Sequence, residues 1–313
     1  MGGAFRFLSH RRVATALFLL FTLLSTCRAL AADDAGKKNC DLRVMSFNVR
    51  FAKAGHSEAA KENNWNDPDH PRRERAIRVI HEFKPDLLSV QEAREEQIED
   101  LRKALPDYEF YGAGRDDGKT AGEFSGIFFR KGRFEREDAG SFWLSETPDT
   151  PGTTFSPNRL PRIASWVRLK DNNLARDFVY LNMHWDHEDV PAREKSAALA
   201  RERLEKIDKD CQLIVTGDLN SSEDTKAYAT LTHPTGSDGR VLADSYRELH
   251  PKRSKQEASF DGWKGNTKGS RIDFILHTAA FTPKSADIVR TNYEGRWPSD
   301  HYPVTATLQF KDK

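Results

Sequence analysis

The chain has 313 residues, of which 37% are hydrophobic and 31% charged, with 49 Lys+Arg against 48 Asp+Glu. That composition excludes a multi-span membrane protein and a disordered polyelectrolyte, and the length suits one large domain or two small ones. Without residues 1–32, which hold four arginines and no acid, 45 basic residues face 48 acidic ones, a net charge of −3. A bulk nucleic-acid binder usually carries a basic excess.

In chain order, Arg6, Arg11 and Arg12 precede an apolar run from Val13 to Leu24, and Ala29-Leu30-Ala31-Ala32 follows. A basic region, a short apolar core and an A-x-A-like site describe a secretory signal peptide, cleaved near Ala31 or Ala32. About 12 apolar residues fall short of the roughly 20 that span a bilayer, so no transmembrane segment is expected after cleavage. Leu24-Ser25-Thr26-Cys27 leaves a lipid anchor as the alternative. The expected organisation is a signal peptide at 1–32, a linker at 33–41 and one folded domain at 42–310, secreted or periplasmic and monomeric. Cys40 and Cys211 remain after cleavage, and both a disulfide and two separate thiols stay open.

Leu42 to Phe47 alternates with period two, as a half-buried strand does. Pro71 opens a helix with Ala76, Val79, Ile80 and Phe83 on one face, and Lys84-Pro85-Asp86 ends it. Leu87 to Val90 is a strand, and Ile98, Leu101 and Leu105 mark a second amphipathic helix. Further strands are expected at 124–129, 163–169 and 177–183. Pro191 begins the longest helix, with Ala198, Leu199, Leu204 and Ile207 as its apolar side. Strands recur at 212–216, 272–276, 286–290 and 303–309. The segments 112–118 and 145–161 read as surface loops of the kind that carry binding residues. This is the pattern of a single α/β domain with a layered core.

The strand ends carry the chemistry. Asn48 follows the first strand, Gln91-Glu92 the second, and His184, Asp186 and His187 follow the strand ending at Met183. Gly217-Asp218-Leu219-Asn220 follows Thr216, Asp273 lies in the next strand, and Ser299-Asp300-His301 precedes the last. Each alone has an ordinary explanation as a turn residue, a helix cap or surface polarity. Six such sites at strand ends that converge on one rim are better explained as one site. Carboxylate and amide oxygens without cysteine suit a hard cation, Mg2+ or Mn2+.

These motifs, in this order, resemble the endonuclease/exonuclease/phosphatase superfamily from about Leu42 to Phe310. The stretches around Gly114–Gly118, Phe142–Ser145 and Arg162–Trp166 are most similar to its bacterial secreted members. The resemblance implies the deoxyribonuclease I-like α/β fold, a β-sandwich of two sheets with helices outside. It implies that Asn48 and Glu92 hold the divalent cation with Asp300 nearby, and that Asp218, helped by Asn220, orients and deprotonates the attacking water. His184 and His301 would face the phosphoryl oxygens, and Asp273 would orient His301. Arg162, His187 and Arg193 are candidates for substrate binding, although Arg193 has a second role open to it, pairing with Glu188 or Asp189. Where abasic-site endonucleases carry an acid two residues after the first Asn, this chain has Arg50, which argues against a repair role. The expected activity is hydrolysis of a phosphodiester by in-line attack of a metal-assisted water. An extracellular nuclease, a phosphomonoesterase acting on a small polyphosphorylated substrate and a non-enzymatic binding module are the alternatives.

Overall fold

A computed structural model of the chain describes residues 1–2, 41–53, 63–155, 160–233 and 239–311. The expected signal peptide beyond residue 2 and the linker up to Cys40 lie outside these residues. So does one partner of the open disulfide question; Cys211 is a buried free thiol. No helix among the described residues is long and apolar enough to cross a membrane.

Twelve strands and five helices are described. The strands are β1 (Asp41–Asn48), β2 (Leu87–Ala93), β3 (Tyr108–Tyr111), β4 (Phe124–Arg130), β5 (Phe134–Trp143), β6 (Ile163–Asp171), β7 (Arg176–His184), β8 (Gln212–Asp218), β9 (Ala243–Asp244), β10 (Asp273–His277), β11 (Phe281–Ile288) and β12 (Val304–Phe310). The helices are α1 (Arg72–Phe83), α2 (Glu95–Ala104), α3 (Val190–Ile207), α4 (Lys226–Thr232) and α5 (Ser245–Leu249). The strands form two six-stranded sheets, in the orders β11-β12-β1-β2-β4-β3 and β5-β6-β7-β8-β10-β9. Each sheet contains one parallel pair, β1 with β2 and β7 with β8, joined through a helix as a parallel pair requires. All other pairings are antiparallel, so both sheets are mixed.

Three apolar cores separate four layers. Leu42, Val44, Leu87 and Ile127 of one sheet meet Val167, Phe178, Tyr180 and Ile214 of the other between the sheets. Met45, Phe47, Leu88 and Val90 face the opposite way, against Ala76, Val79 and Ile80 of α1 and Ile98 and Leu101 of α2. Val179, Leu181, Leu213 and Val215 pack on Ala197, Ala200 and Leu204 of α3. Strict alternation of side chains along the strands puts both cores within one sequence pattern. The result is the expected two-sheet α/β sandwich flanked by helices.

Several elements depart from the expected pattern. β5 runs through Glu135-Arg136-Glu137-Asp138, which hides it as a strand; it is an edge strand pairing with β6 alone, where exposed charge discourages further pairing. β11 starts earlier than expected because Pro283 is accommodated at a register shift on the sheet edge. In α3 the buried face is Ala192, Ser196, Ala197, Ala200 and Leu204, while Ala198 is exposed. Alanine is at home on either side of a helix and marks its apolar face poorly.

The inter-sheet face changes character towards one end. Beyond Val44, Leu87, Tyr180 and Ile214 come Ser46, Ser89, Asn182 and Thr216, all buried. Ser89 Oγ lies 2.9 Å from Tyr180 Oη and 2.7 Å from Thr216 Oγ1, across the gap between the sheets. Gln91 donates to Ser46 Oγ (3.1 Å) and to Asn182 Oδ1 (2.7 Å), while Asn182 donates to the carbonyls of Val90 (3.0 Å) and Gly126 (2.9 Å). This layer ties one sheet to the other. Asn182→Ala strips three buried groups of a partner, each worth about 1–3 kcal/mol. The variant is expected to unfold in urea with a loss of about 3 kcal/mol or more; a loss below about 1 kcal/mol would contradict the role given to this layer.

Candidate active site

One step beyond the polar layer the same alternation places Asn48, His184 and Asp218 at the sheet rim. The parallel pairs put Asn48 beside Gln91 and His184 beside Asp218, all at strand C-termini. The antiparallel strand β10 brings Asp273, at its N-terminus, opposite Asp218. His301 precedes β12, which runs antiparallel to β1. Parallel strands ending and antiparallel strands beginning at one rim therefore collect residues separated by up to 253 positions.

Local backbone geometry completes the convergence. Seven non-glycine residues among those described have positive φ, and three of them, Arg50, Glu92 and Asn220, stand at this rim. Such conformations cost about 1–3 kcal/mol each and persist where the surroundings enforce them. At Glu92 the left-handed turn interrupts the strand alternation between Val90 and Ala93, so that Glu92 reaches the site while Gln91 stays in the polar layer. Gly217 has no such alternative, since a Cβ there would overlap the Met183 carbonyl oxygen of the adjacent strand.

At the centre, Asn48 Nδ2 donates to Glu92 Oε1 (3.0 Å) and Asp218 Oδ2 (2.9 Å). Asp218 Oδ1 accepts from the Asn220 amide (3.0 Å), and the Asn220 side chain donates to the Trp185 carbonyl (3.1 Å). His301 Nδ1 lies 3.0 Å from Asp273 Oδ2, and its Nε2 is 3.7 Å from Asp218. His184 Nε2 is 3.6 Å from the same Asp218 oxygen, opposite His301. Arg162 reaches His184 (3.0 Å) and His187 (2.8 Å) with its two terminal nitrogens. Arg50 ion-pairs with Glu92 (3.3 Å) and Asp300 (3.6 Å).

The electrostatics split the two histidines. Burial disfavours a charged His301, but Asp273 and Asp218 outweigh it and hold the ring's pKa well above the ordinary value. Burial, then Arg162 and Arg115, push His184 well below it, so this ring is neutral at neutral pH. Burial and the neighbouring Asp273 push Asp218 up to about 7. Glu92 goes the other way: burial opposes its charge, but Arg50, His301 and the Asn48 amide keep its pKa low.

A cavity of about 380 Å³ opens above these groups, lined by Glu92, His184, Asp218 and His301 with Arg50, Arg115, Arg162 and His187. Of the expected site residues, Asn48, Asp273 and Asp300 lie buried beneath it, touching the lining. Arg193 does not join them; its guanidinium donates to the Asp186 carbonyl (2.9 Å) at the start of α3. Trp185, next to His184 in the chain, is wholly buried in the core under α3. Glu123, which clamps Arg115 at 2.6 and 3.1 Å, and Phe260, whose ring stands 5.0 Å from His301, were not singled out by the sequence.

The donor set suits a hard divalent cation. Atoms of Glu92, His184 and Asp218 lie within 4.8 Å of one another. Asn48 now offers its amide protons to two carboxylates; turned over, it would offer its oxygen, an arrangement favourable only with a cation between them.

The comparisons with known proteins agree with this geometry. A profile of the endonuclease/exonuclease/phosphatase family matches residues 45–301. The crystal structure of an endonuclease/exonuclease/phosphatase family protein from Bacteroides thetaiotaomicron is similar at 32% identity, covering 87% of this chain and 98% of that one, with a TM-score of 0.74. A mannosyl-6-phosphatase from the same species is similar at 33% identity, covering 86% and 100%, with a TM-score of 0.74. The catalytic domain of human nocturnin, solved with a bound sulfate anion, shares the fold at 18% identity, covering 87% and 94%, with a TM-score of 0.66. No curated protein matches the chain.

A proton on Asp218 competes with a cation beside it. Below about pH 7 that proton must be displaced, so Mn2+ affinity is expected to fall as pH drops, approaching tenfold per unit. Calorimetric titration in buffers of differing ionisation enthalpy should register about one proton released per ion near pH 6. An affinity constant from about pH 5.5 to 7.5 would contradict the coupling.

Proposed function

The chain belongs to the endonuclease/exonuclease/phosphatase family, and is therefore a divalent-metal-dependent hydrolase of phosphate esters; from that premise we propose that it is an exported phosphomonoesterase acting on a small, sugar-like phosphate. One observation carries the choice: three arginines, Arg50, Arg115 and Arg162, line one cavity of about 380 Å³. That volume falls in the range of small-molecule sites, about 300–1,000 Å³, and guanidinium forks suit the three free oxygens of a terminal phosphate. The similarity to a mannosyl-6-phosphatase at 33% identity supports the same class. Export rests on the leader pattern in residues 1–32.

In this reading Asn48 and Glu92 hold Mg2+ or Mn2+, with Asp300 beside them. The ion, when bound, would screen charge on the phosphoryl group and acidify a water. Asp218 takes the proton of the attacking water and the Asn220 amide keeps its carboxylate aimed. His301, held charged by Asp273, donates to a phosphoryl oxygen as negative charge builds in the transition state. Arg162 holds another oxygen with its guanidinium, and His184 and His187 fix the direction of that fork. The leaving oxygen takes a proton from solvent as it departs as the alcohol, and Asp218 returns the proton it took to solvent.

A phosphodiester remains the second reading, because Arg115 is paired with Glu123 and Arg50 with Glu92 and Asp300, which lowers the free positive charge. The lack of a basic excess after residue 32 weighs against a nuclease.

The test is hydrolysis of mannose 6-phosphate and p-nitrophenyl phosphate beside bis-p-nitrophenyl phosphate, with Mg2+, Mn2+ or chelator. The monoesters should be cleaved at least tenfold faster in kcat/KM and chelator should abolish turnover; faster cleavage of the diester would restore the second reading. His301→Ala and Asp218→Ala are each expected to cost about 10³-fold or more in kcat with the fold intact. Near wild-type turnover in either would overturn the residue roles.

A further inference from the structure

Arg115 and Glu123 line the same cavity as the catalytic groups, yet neither has a place in the phosphoryl chemistry. Both residues are more than nine-tenths buried. Arg115 Nη1 donates to Glu123 Oε2 (2.6 Å) and Nη2 to Oε1 (3.1 Å), the two-pronged pairing of a guanidinium with a carboxylate. The backbone joins the same two residues, since the Arg115 amide donates to the Glu123 carbonyl (3.1 Å). The Arg115 carbonyl in turn accepts from Trp143 Nε1 (2.6 Å). Between the partners the chain turns back on itself. Asp117 Oδ1 accepts from the amides of Lys119 (2.7 Å) and Ala121 (3.0 Å), and Gly122, at φ 86°, lies against the Asp116 carboxylate where a Cβ would collide. The loop thus holds the pair at the cavity wall in one orientation.

Of the arginines on that wall, Arg162 hydrogen-bonds to imidazole nitrogens and keeps its charge for a phosphate. Arg115 is equipped differently: a carboxylate matches its charge, and that carboxylate repels a phosphate oxygen at close range. What the pair offers is mixed. Each Glu123 oxygen keeps a lone pair beyond the one that Arg115 uses, and the guanidinium keeps N–H groups beyond the two given to Glu123. Its Nε has no hydrogen-bond partner among the described residues, with Asp116 no closer than 3.9 Å. A hydroxyl is donor and acceptor at once, so donor and acceptor sites side by side match neighbouring hydroxyls of a polyol. We propose that Arg115 and Glu123 form a second subsite of the cavity, which reads hydroxyl groups on the leaving alcohol and so selects phosphate esters of sugars or other polyols. The pair determines specificity, while Arg162 and the metal-site residues act on the phosphate. The inference deepens the reading of a sugar-like substrate and rests on it.

The test compares kcat/KM for mannose 6-phosphate with that for cyclohexylmethyl phosphate, which keeps the ring and the primary ester and lacks the hydroxyls. In the wild-type protein the ratio is expected to exceed about tenfold, because a site built to hydrogen-bond hydroxyls rejects the analogue without them. Glu123→Gln, which keeps the shape and loses the charge and one acceptor, should lower that ratio at least threefold. Arg115→Met combined with Glu123→Met removes both charges together, leaves no buried ion unpaired, and should bring the ratio near one. Thermal unfolding establishes that each variant is folded. A purely structural role would lower both substrates alike and leave the ratio unchanged, so a wild-type ratio in the folded double variant overturns the proposal. A wild-type ratio near one overturns it directly. Turnover of the methyl diesters of the two phosphates but not of the monoesters overturns the monoester reading alone, and the same ratio is then read on the diesters. No turnover of any of the four overturns both.

Discussion

Two carboxylates from opposite sheets, Glu92 and Asp218, meet on one amide, the side chain of Asn48. Both acids are buried, and a buried charge is tolerated only when it is paired and hydrogen-bonded. Much of the surrounding structure answers that demand. Arg50 attends Glu92, while His301 and the Asn220 amide attend Asp218. Beneath them the Ser89, Gln91, Asn182 and Thr216 layer keeps the sheets in fixed register, so that the two carboxylates approach by a set distance. The arrangement concentrates negative charge where a cation is wanted and surrounds it with positive groups where a phosphate would lie.

The same logic explains the division of labour between the histidines. His301 and His184 flank one Asp218 oxygen at nearly equal distances, 3.7 and 3.6 Å, yet their neighbours differ in sign. Asp273 behind His301 favours the imidazolium, and burial together with Arg162 disfavours it at His184. A single pocket thereby holds a charged donor on one side and a neutral ring on the other. Two identical side chains acquire distinct chemistry from their environments alone.

Much of this was legible in the sequence because strands obey a period of two. Leu42, Val44, Ser46 and Asn48 march along one face from apolar to hydroxyl to amide, and Phe178, Tyr180, Asn182 and His184 do the same. Polar residues at strand ends, in parallel pairs and their antiparallel neighbours, must then share a rim, which located Asn48, Glu92, His184, Asp218, Asp273 and His301. Other parts left no pattern. Arg72 and Gln97 act on backbone carbonyls, which any sequence supplies, so nothing marks their partners. Arg115 and Glu123 are joined by a loop turn and not by a strand register. Arg193 looked equivalent to Arg162 by type, but its place in the first turn of α3 binds it to Asp186. The charged strand β5 defied apolar patterning because an edge strand buries only its ends.

The chemistry turns on where the cation sits. Its most direct test is anomalous scattering from crystals of the protein grown with Mn2+. A peak is expected within coordination distance of a Glu92 carboxylate oxygen and of the Asn48 side-chain oxygen, the amide having turned over to present it, with Asp300 adjacent. A peak out of coordination distance of both Glu92 and Asn48, or an Asn48 amide still donating to both carboxylates with the metal bound elsewhere, would contradict it.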